Sequence, residues 1–309
     1  MKTTSLALGL ASFHFAAAQL YPNQSPLNHT CALKEPVLSC SAGANPSETD
    51  TCCTETFGGL LLSTQFWTIY TGREAEGQLL PPKHWGLHGL WPDFCNGSYT
   101  QYCDLTRQYD PDPSPNTTTG TPSGTPVPPW HGVSIDVWIE EFGREDLIAW
   151  ANEYWIAQAQ PNTELWAHEF SKHATCFSTF DVPCYGPKYV DHEEIIDYFD
   201  TVIKYFMQVP TYEWLENASI VPSNSTSYSL SDFQGVLTDA YNETAAGKGS
   251  SDSGRTSLSE VWYFSHTLGR PQDHTGSNIA KVNSTTKSNC ATTEGGVWYY
   301  ERSSGSERS

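Results

Sequence analysis

The sequence predicts an α+β fold: a central antiparallel sheet packed with several helices and stapled by disulfides. Three observations predict it. Segments rich in β-branched and aromatic residues lie toward both ends of the chain, helical periodicity fills the middle, and nine cysteines stand at irregular spacings. With 11 Trp, 16 Tyr and 13 Phe in 309 residues, there is enough aromatic mass for a large core.

The elements follow in order. Lys2, the apolar run Leu6 to Phe15 and the small residues Ala16-Ala17-Ala18 read as a secretory signal over residues 1–18. That leaves 19–309 as a single domain. The run is too short to span a membrane, and no later stretch is long enough. Residues 19–56 are turn-rich and carry four cysteines, a stapled loop region. Leu60 to Tyr70, bounded by Gly58-Gly59 and Gly72, reads as a strand, and His84 to Trp91 as a second. Gly86 and Gly89 break the second strand's alternation, where a neighbour can approach the backbone closely. Residues 110–129 (DPDPSPNTTTGTPSGTPVPP) are a low-complexity, exposed insertion suited to O-glycosylation. One helix is expected from a Ser134 cap to about Trp155, a second over Glu164 to Phe177, a third over Asp191 to Met207 and a fourth from Ser231 to about Tyr241. The third carries an apolar stripe of Ile195, Ile196, Phe199, Val202, Ile203 and Phe206 that belongs to the core. Strands return at Leu258 to His266 and Gly296 to Tyr300.

The rest of the chain agrees with secretion. Asn-X-Ser/Thr sequons stand at Asn23, Asn28, Asn96, Asn116, Asn217, Asn224, Asn242 and Asn283. The cysteines are Cys31, Cys40, Cys52, Cys53, Cys95, Cys103, Cys176, Cys184 and Cys290, with no Cys-x-x-Cys pair. They read as disulfides rather than a metal cluster, and the odd count leaves Cys290 as the spare thiol. The formal net charge is −19, which excludes a polyanion binder that works by global positive charge.

Two segments carry chemistry. In WAHEFSKHATC (Trp166 to Cys176), His168 and Lys172 lie four apart on one helical stripe. Glu169 and His173 lie four apart on the adjoining one, so all four can face one cleft. His168 and His173 are five apart, about 140° off register, so their rings should diverge; this counts against the zinc pair of His-Glu-x-x-His, where the spacing is four. In HWGLHGLWPDFC (His84 to Cys95), His88 stands beside Trp91 and Asp93, a combination suited to stacking a flat base or sugar next to a proton donor.

HGLWPDFC and HEFSKHATC resemble the two active-site signatures of the T-two family of secreted acid endoribonucleases, fungal members above all. Cys52-Cys53, Gln65-Phe66-Trp67 and EVWYF (Glu260 to Phe264) fit the same resemblance, which covers nearly all of the chain after the signal. The departures are Phe170 for a common Trp and Ala174 for a common Gly. The resemblance implies RNA cleavage to a 2′,3′-cyclic phosphate and then a 3′-phosphate. His173 would be the base and His88 the acid, Glu169 and Lys172 would stabilise the phosphorane, and His168 would bind phosphate. It implies no metal and no cofactor. Trp91 and Tyr99 would sandwich the base 5′ of the cut, with Asp93 reading its edge and leaning toward adenine. Gln65 would contact the 3′ side, where Leu165 replaces a common aromatic ring. The implied disulfides are Cys31–Cys53, Cys40–Cys95, Cys52–Cys184 and Cys103–Cys176; a usual partner for Cys290 is missing. The substrate would be single-stranded RNA, the protein a monomer, and its address extracellular or vacuolar. A metal-dependent phosphoesterase, or a secreted RNA- or carbohydrate-binding protein without turnover, are the competing readings.

Overall fold

In the computed structural model, residues 20–21, 30–252, 254–273 and 278–309 are described. The expected signal and the sequons at Asn23 and Asn28 lie outside them. Among the described residues the sheet has six strands: β1 (Leu60–Phe66), β2 (Gly86–Asp93), β3 (Ala246–Asp252), β4 (Arg255–Thr267), β5 (Ile279–Val282) and β6 (Val297–Trp298). Its order is β2-β1-β4-β3, with β5 and β6 also on β4. All pairs are antiparallel except β4 with β6.

Both faces of β1 are buried, which is why it begins with three consecutive leucines rather than an alternating pattern. Leu61 packs with Leu87 and Leu90 into the helices, against Trp166, Phe170 and Phe199. Leu60 and Leu62 face the other way, onto Ala246 and Phe264. A third cluster joins Trp67, Trp85, Val261 and Tyr263 to Leu215, Phe233 and Leu237.

Six α-helices are found among the described residues: α1 (Ile135–Glu141), α2 (Glu145–Tyr154), α3 (Asn162–Lys172), α4 (Glu193–Phe206), α5 (Thr211–Asn217) and α6 (Leu230–Tyr241). The single helix expected from Ser134 to Trp155 is two. Gly143, at φ +66°, ends the first in the left-handed region that glycine enters most freely. Arg144 then reaches Asp146 and Asp200 as the second begins. In α4, the stripe Ile195, Ile196, Phe199, Val202 and Phe206 is buried as the periodicity predicts. A capping box in which Asp232 reaches back to the Ser229 N–H starts α6 earlier than expected. None of the described helices is long and apolar enough to cross a membrane.

The disulfides join Cys31 to Cys53, Cys40 to Cys95, Cys52 to Cys184 and Cys103 to Cys176, the pairs that the resemblance implies. Cys290 is a buried free thiol. The sequons at Asn96, Asn116, Asn217, Asn224, Asn242 and Asn283 are all exposed.

The insertion at 110–129 is exposed only in part. Asp110 is 2% accessible and Val127 is buried. The Gln101 amide donates to the Thr117 carbonyl at 2.6 Å, and the Ser114 N–H donates to the Tyr102 hydroxyl. Groups outside the segment thus help to hold it, an attachment that its own composition does not show.

Candidate active site

The site begins with an irregularity in the sheet. Thr64 of β1 pairs with Gly89 of β2, but Gln65 pairs with Leu87, leaving His88 as the extra residue of a bulge. Trp155 Nε1 donates to the His88 carbonyl at 2.7 Å and holds the bulge. The imidazole stacks on Phe66 with centroids 3.7 Å apart. Its Nδ1 contacts Glu260 Oε1 of β4, and its Nε2 stands 3.4 Å from Glu169 Oε1 of α3. Burial alone would lower the pKa of His88; the two carboxylates outweigh it and raise it to about 9.

Glu169 is completely buried. Its approach needs Gly89, because a Cβ there would lie 1.9 Å from Oε2. Gly86, by contrast, meets only ordinary contacts. Oε2 accepts from Trp91 Nε1 at 2.7 Å, while Oε1 faces His88 Nε2 at 3.4 Å. Burial would raise the pKa of Glu169, but the neighbouring histidines outweigh it and hold it at about 2.

Helix α3 carries Glu164 in its first turn and Lys172 in its last, in keeping with its dipole, and ends as His173 takes the C-cap position. His173 Nε2 lies 3.9 Å from Glu169 Oε2, and its ring stacks on Trp91. Burial is the main cause that lowers its pKa well below the usual value, with Lys172 and the other histidines adding to it. The rings of His168 and His173 have centroids 6.5 Å apart and planes inclined at 72°, with His173 at the helix C-cap.

His168 Nδ1 lies 2.7 Å from Asp110 Oδ2, which also accepts from the Tyr102 hydroxyl at 2.8 Å. Lys172 Nζ lies 3.4 Å from His168 Nε2 and donates to the Ser114 carbonyl at 3.0 Å. Burial lowers the Lys172 pKa. The stretch expected to be a bare insertion therefore forms one wall of the cluster.

Trp91 is half-buried and placed edge-on to His88 and Trp262. Its indole serves the cluster through Glu169 and His173, a tie the sequence reading did not include. Tyr99 is 64% exposed and makes no ring contact with Trp91 among the described residues. Asp93 is half-buried with no side-chain hydrogen bond among them, and burial raises its pKa to about 7.

Gln65 is not brought to the cluster. Along β1, Phe66 faces His88 and Gln65 faces the opposite way. Its amide donates to the Val209 carbonyl at 2.7 Å and accepts from the Thr211 hydroxyl at 2.6 Å. It lines a cavity of about 310 Å³ with His84, Trp150, Tyr154 and Tyr212. Leu165 is core. Sequence reasoning missed Glu260 and Asp110. Glu260 lies in EVWYF, which carries no assigned role in the sequence, and Asp110 opens the low-complexity segment expected to be an exposed insertion.

A family model described as the Ribonuclease T2 family matches residues 58–290. A "Ribonuclease T2-like" protein of Aspergillus fumigatus is 31% identical over 299 residues, 97% of this chain and 62% of that protein. A second of that name, from Emericella nidulans, is 34% identical over 82% of this chain and 52% of its own length. The chain thus spans less than two thirds of each of these two relatives. Ribonuclease Trv of Hypocrea rufa is 34% identical over 78% of this chain and 87% of its own. The crystal structure of Actibind, described as a T2 ribonuclease, superposes with a TM-score of 0.67 at 28% identity, covering 87% of this chain and 97% of that one. With the family model spanning both signature segments and the fold shared, the chain belongs to the ribonuclease T2 family.

Proposed function

We propose that the protein is a secreted endoribonuclease that cuts single-stranded RNA by transphosphorylation at mildly acid pH. One observation carries the reading: two histidines flank a single buried carboxylate, and their surroundings push their proton affinities in opposite directions. Burial disfavours the imidazolium of His173 while two carboxylates favour that of His88, which gives the base and the acid that a two-ended proton transfer needs.

His173 takes the proton of the ribose 2′-hydroxyl, whose oxygen forms a bond to the adjacent phosphorus. The bond from phosphorus to the 5′-oxygen breaks, and His88 supplies that oxygen's proton. The products are a 2′,3′-cyclic phosphate and a free 5′-hydroxyl. In a second step water opens the ring with the roles reversed and leaves a 3′-phosphate. Lys172 and His168 face the charge that builds on the phosphorane. Glu169 keeps His88 charged and helps hold its Nε2 in the cluster.

Upstream of the cut, Tyr99 and the open part of Trp91 offer stacking surfaces. Asp93, protonated below pH 7, both donates and accepts. That matches the adjacent ring nitrogen and exocyclic amine of adenine. A falling pH also reduces the net charge of −19 that would otherwise repel RNA. Secretion is supported by the N-terminal sequence, the disulfides and the exposed sequons.

The test is digestion of dinucleotides across pH 3–8, with and without EDTA, and with product identification. Cyclic phosphates appearing before 3′-phosphates, with no loss to EDTA, are expected. A rate that vanishes with EDTA and returns with one divalent ion overturns the proposal.

A further inference from the structure

We infer that Glu260 is the positioning residue of His88: its carboxylate accepts the Nδ1 proton and so turns Nε2, with its own proton, toward the reacting phosphate. The inference rests on the reading of His88 as the acid.

The geometry comes from strand register. Phe66 of β1 is the cross-strand partner of Glu260 on β4. The bulge lifts His88 over this pair, so its ring lies on Phe66 while Nδ1 meets Glu260 Oε1. The carboxylate is itself held, because its Oε2 accepts from Trp262 Nε1 at 3.2 Å. One ring face and one ring nitrogen are thereby fixed by neighbours on a rigid sheet. The remaining nitrogen lies 3.4 Å from Glu169 Oε1, on the side of the cluster.

Fixing Nδ1–H matters on both sides of the proton transfer. The imidazolium carries protons on both nitrogens. Once Nε2 has given its proton away, the neutral ring must keep the other on Nδ1, or Nε2 cannot take a proton from water in the second step. Glu260 selects that tautomer. Three other charged or titratable groups bear on the dyad. Glu169 faces Nε2, His173 lies across Trp91, and Lys248, the cross-strand partner of Glu260, lies over Trp262 with Nζ 4.5 Å from its ring. Lys248 Nζ also donates to the Lys287 carbonyl at 2.7 Å, which fixes it away from the imidazole.

The experiment is Glu260→Gln in the full chain, read by ¹⁵N-histidine NMR and by kinetics. The His88 titration midpoint is expected to fall by more than one unit, and the neutral ring to lose its preference for Nδ1–H. In kinetics, kcat should drop about 10- to 100-fold with KM nearly unchanged, and the alkaline limb of the kcat profile should move to lower pH. Trp262→Phe leaves the carboxylate but frees it; it should shift the midpoint the same way by less, and it serves if the glutamine variant does not fold. An unmoved His88 titration in both variants overturns the inference. Full activity in His88→Ala overturns instead the acid role on which it rests, and the NMR readout separates the two failures because it needs no turnover.

Discussion

His173 lies flat on Trp91, with ring centroids 4.9 Å apart and planes 17° apart. The same indole donates its N–H to Glu169. A side chain expected to hold a substrate base thus orients the proposed general base and the carboxylate at once.

Trp91→Phe separates these duties. The ring that supports His173 stays, and the hydrogen bond to a buried carboxylate is lost. Hydrogen bonds to charged groups contribute roughly 1.5–3 kcal/mol, so kcat should fall about 10- to 100-fold. Trp91→Ala should lose more, and the affinity for a dinucleotide analogue should weaken as well. Equal kcat for the Phe variant and the wild type would remove the Glu169 contact from the mechanism.

His88→Ala and His173→Ala should each lower kcat by about 10² or more, the usual contribution of a positioned acid or base. The double variant should be little worse than either single one, because both act in one transition state. Measured additivity would mean that the two histidines serve separate steps.

Asp93, Asp181 and His88 should each contribute less stability as pH rises, against the opposite contribution of His173, whose lowered pKa favours the folded chain more as pH climbs toward 6.5. Asp93 keeps its proton in the folded chain up to about 7, but in the unfolded chain only up to about 4. Between these values unfolding releases a proton, so stability present below pH 4 is lost as pH climbs through 7. Asp181, raised to about 7 by burial, acts the same way. His88, raised to about 9, extends the loss over the interval from about 6.5 to 9. Asp93→Asn removes one share, and its Tm should fall less than that of the wild type, by roughly 2–4 °C for each kcal/mol involved. Asp93→Ala should shrink the preference for adenine 5′ of the cut, whereas Asp93→Asn keeps a donor beside an acceptor and should largely retain it. Tyr99→Ala should weaken all dinucleotides alike, by about 1–3 kcal/mol of stacking. Parallel Tm curves would show that Asp93 does not titrate in this range.

Cys290 should resist alkylation in the native protein and react as a single thiol once the unreduced chain is unfolded. It is 5% accessible, and burial raises its pKa, so the reactive thiolate is scarce. Mass spectrometry of labelled peptides checks both halves; label on Cys95 or Cys176 would contradict the bridges that hold the site.

What the sequence revealed was what local patterns encode. The spacing of Glu169 and His173 placed them on one stripe, and the α4 periodicity marked its buried face. Long-range pairing was not legible. Strand β3 reads AGKGSSD, with no apolar alternation, and exists because β4 offers it an edge. Helix α5 is a single short segment after Pro210, too brief for a period to show. Glu260 meets His88 only through the register of three strands. Asp110 meets His168 only because Gln101 and Tyr102 bring the loop back.

Two of the disulfides bracket the working parts. Cys40–Cys95 ties down the end of the loop that carries Asp93 and Tyr99, and Cys103–Cys176 joins the turn after His173 to the segment leading to Asp110. In the reducing cytosol such bridges do not persist. A newly made chain there would lack both attachments, and the residues proposed to grip and cut RNA would not be held together. On the proposed reading of a secreted nuclease, assembly of the site would wait until the chain had left the compartment that holds the cell's own transcripts, a safeguard for the producing cell written into the covalent framework of the fold.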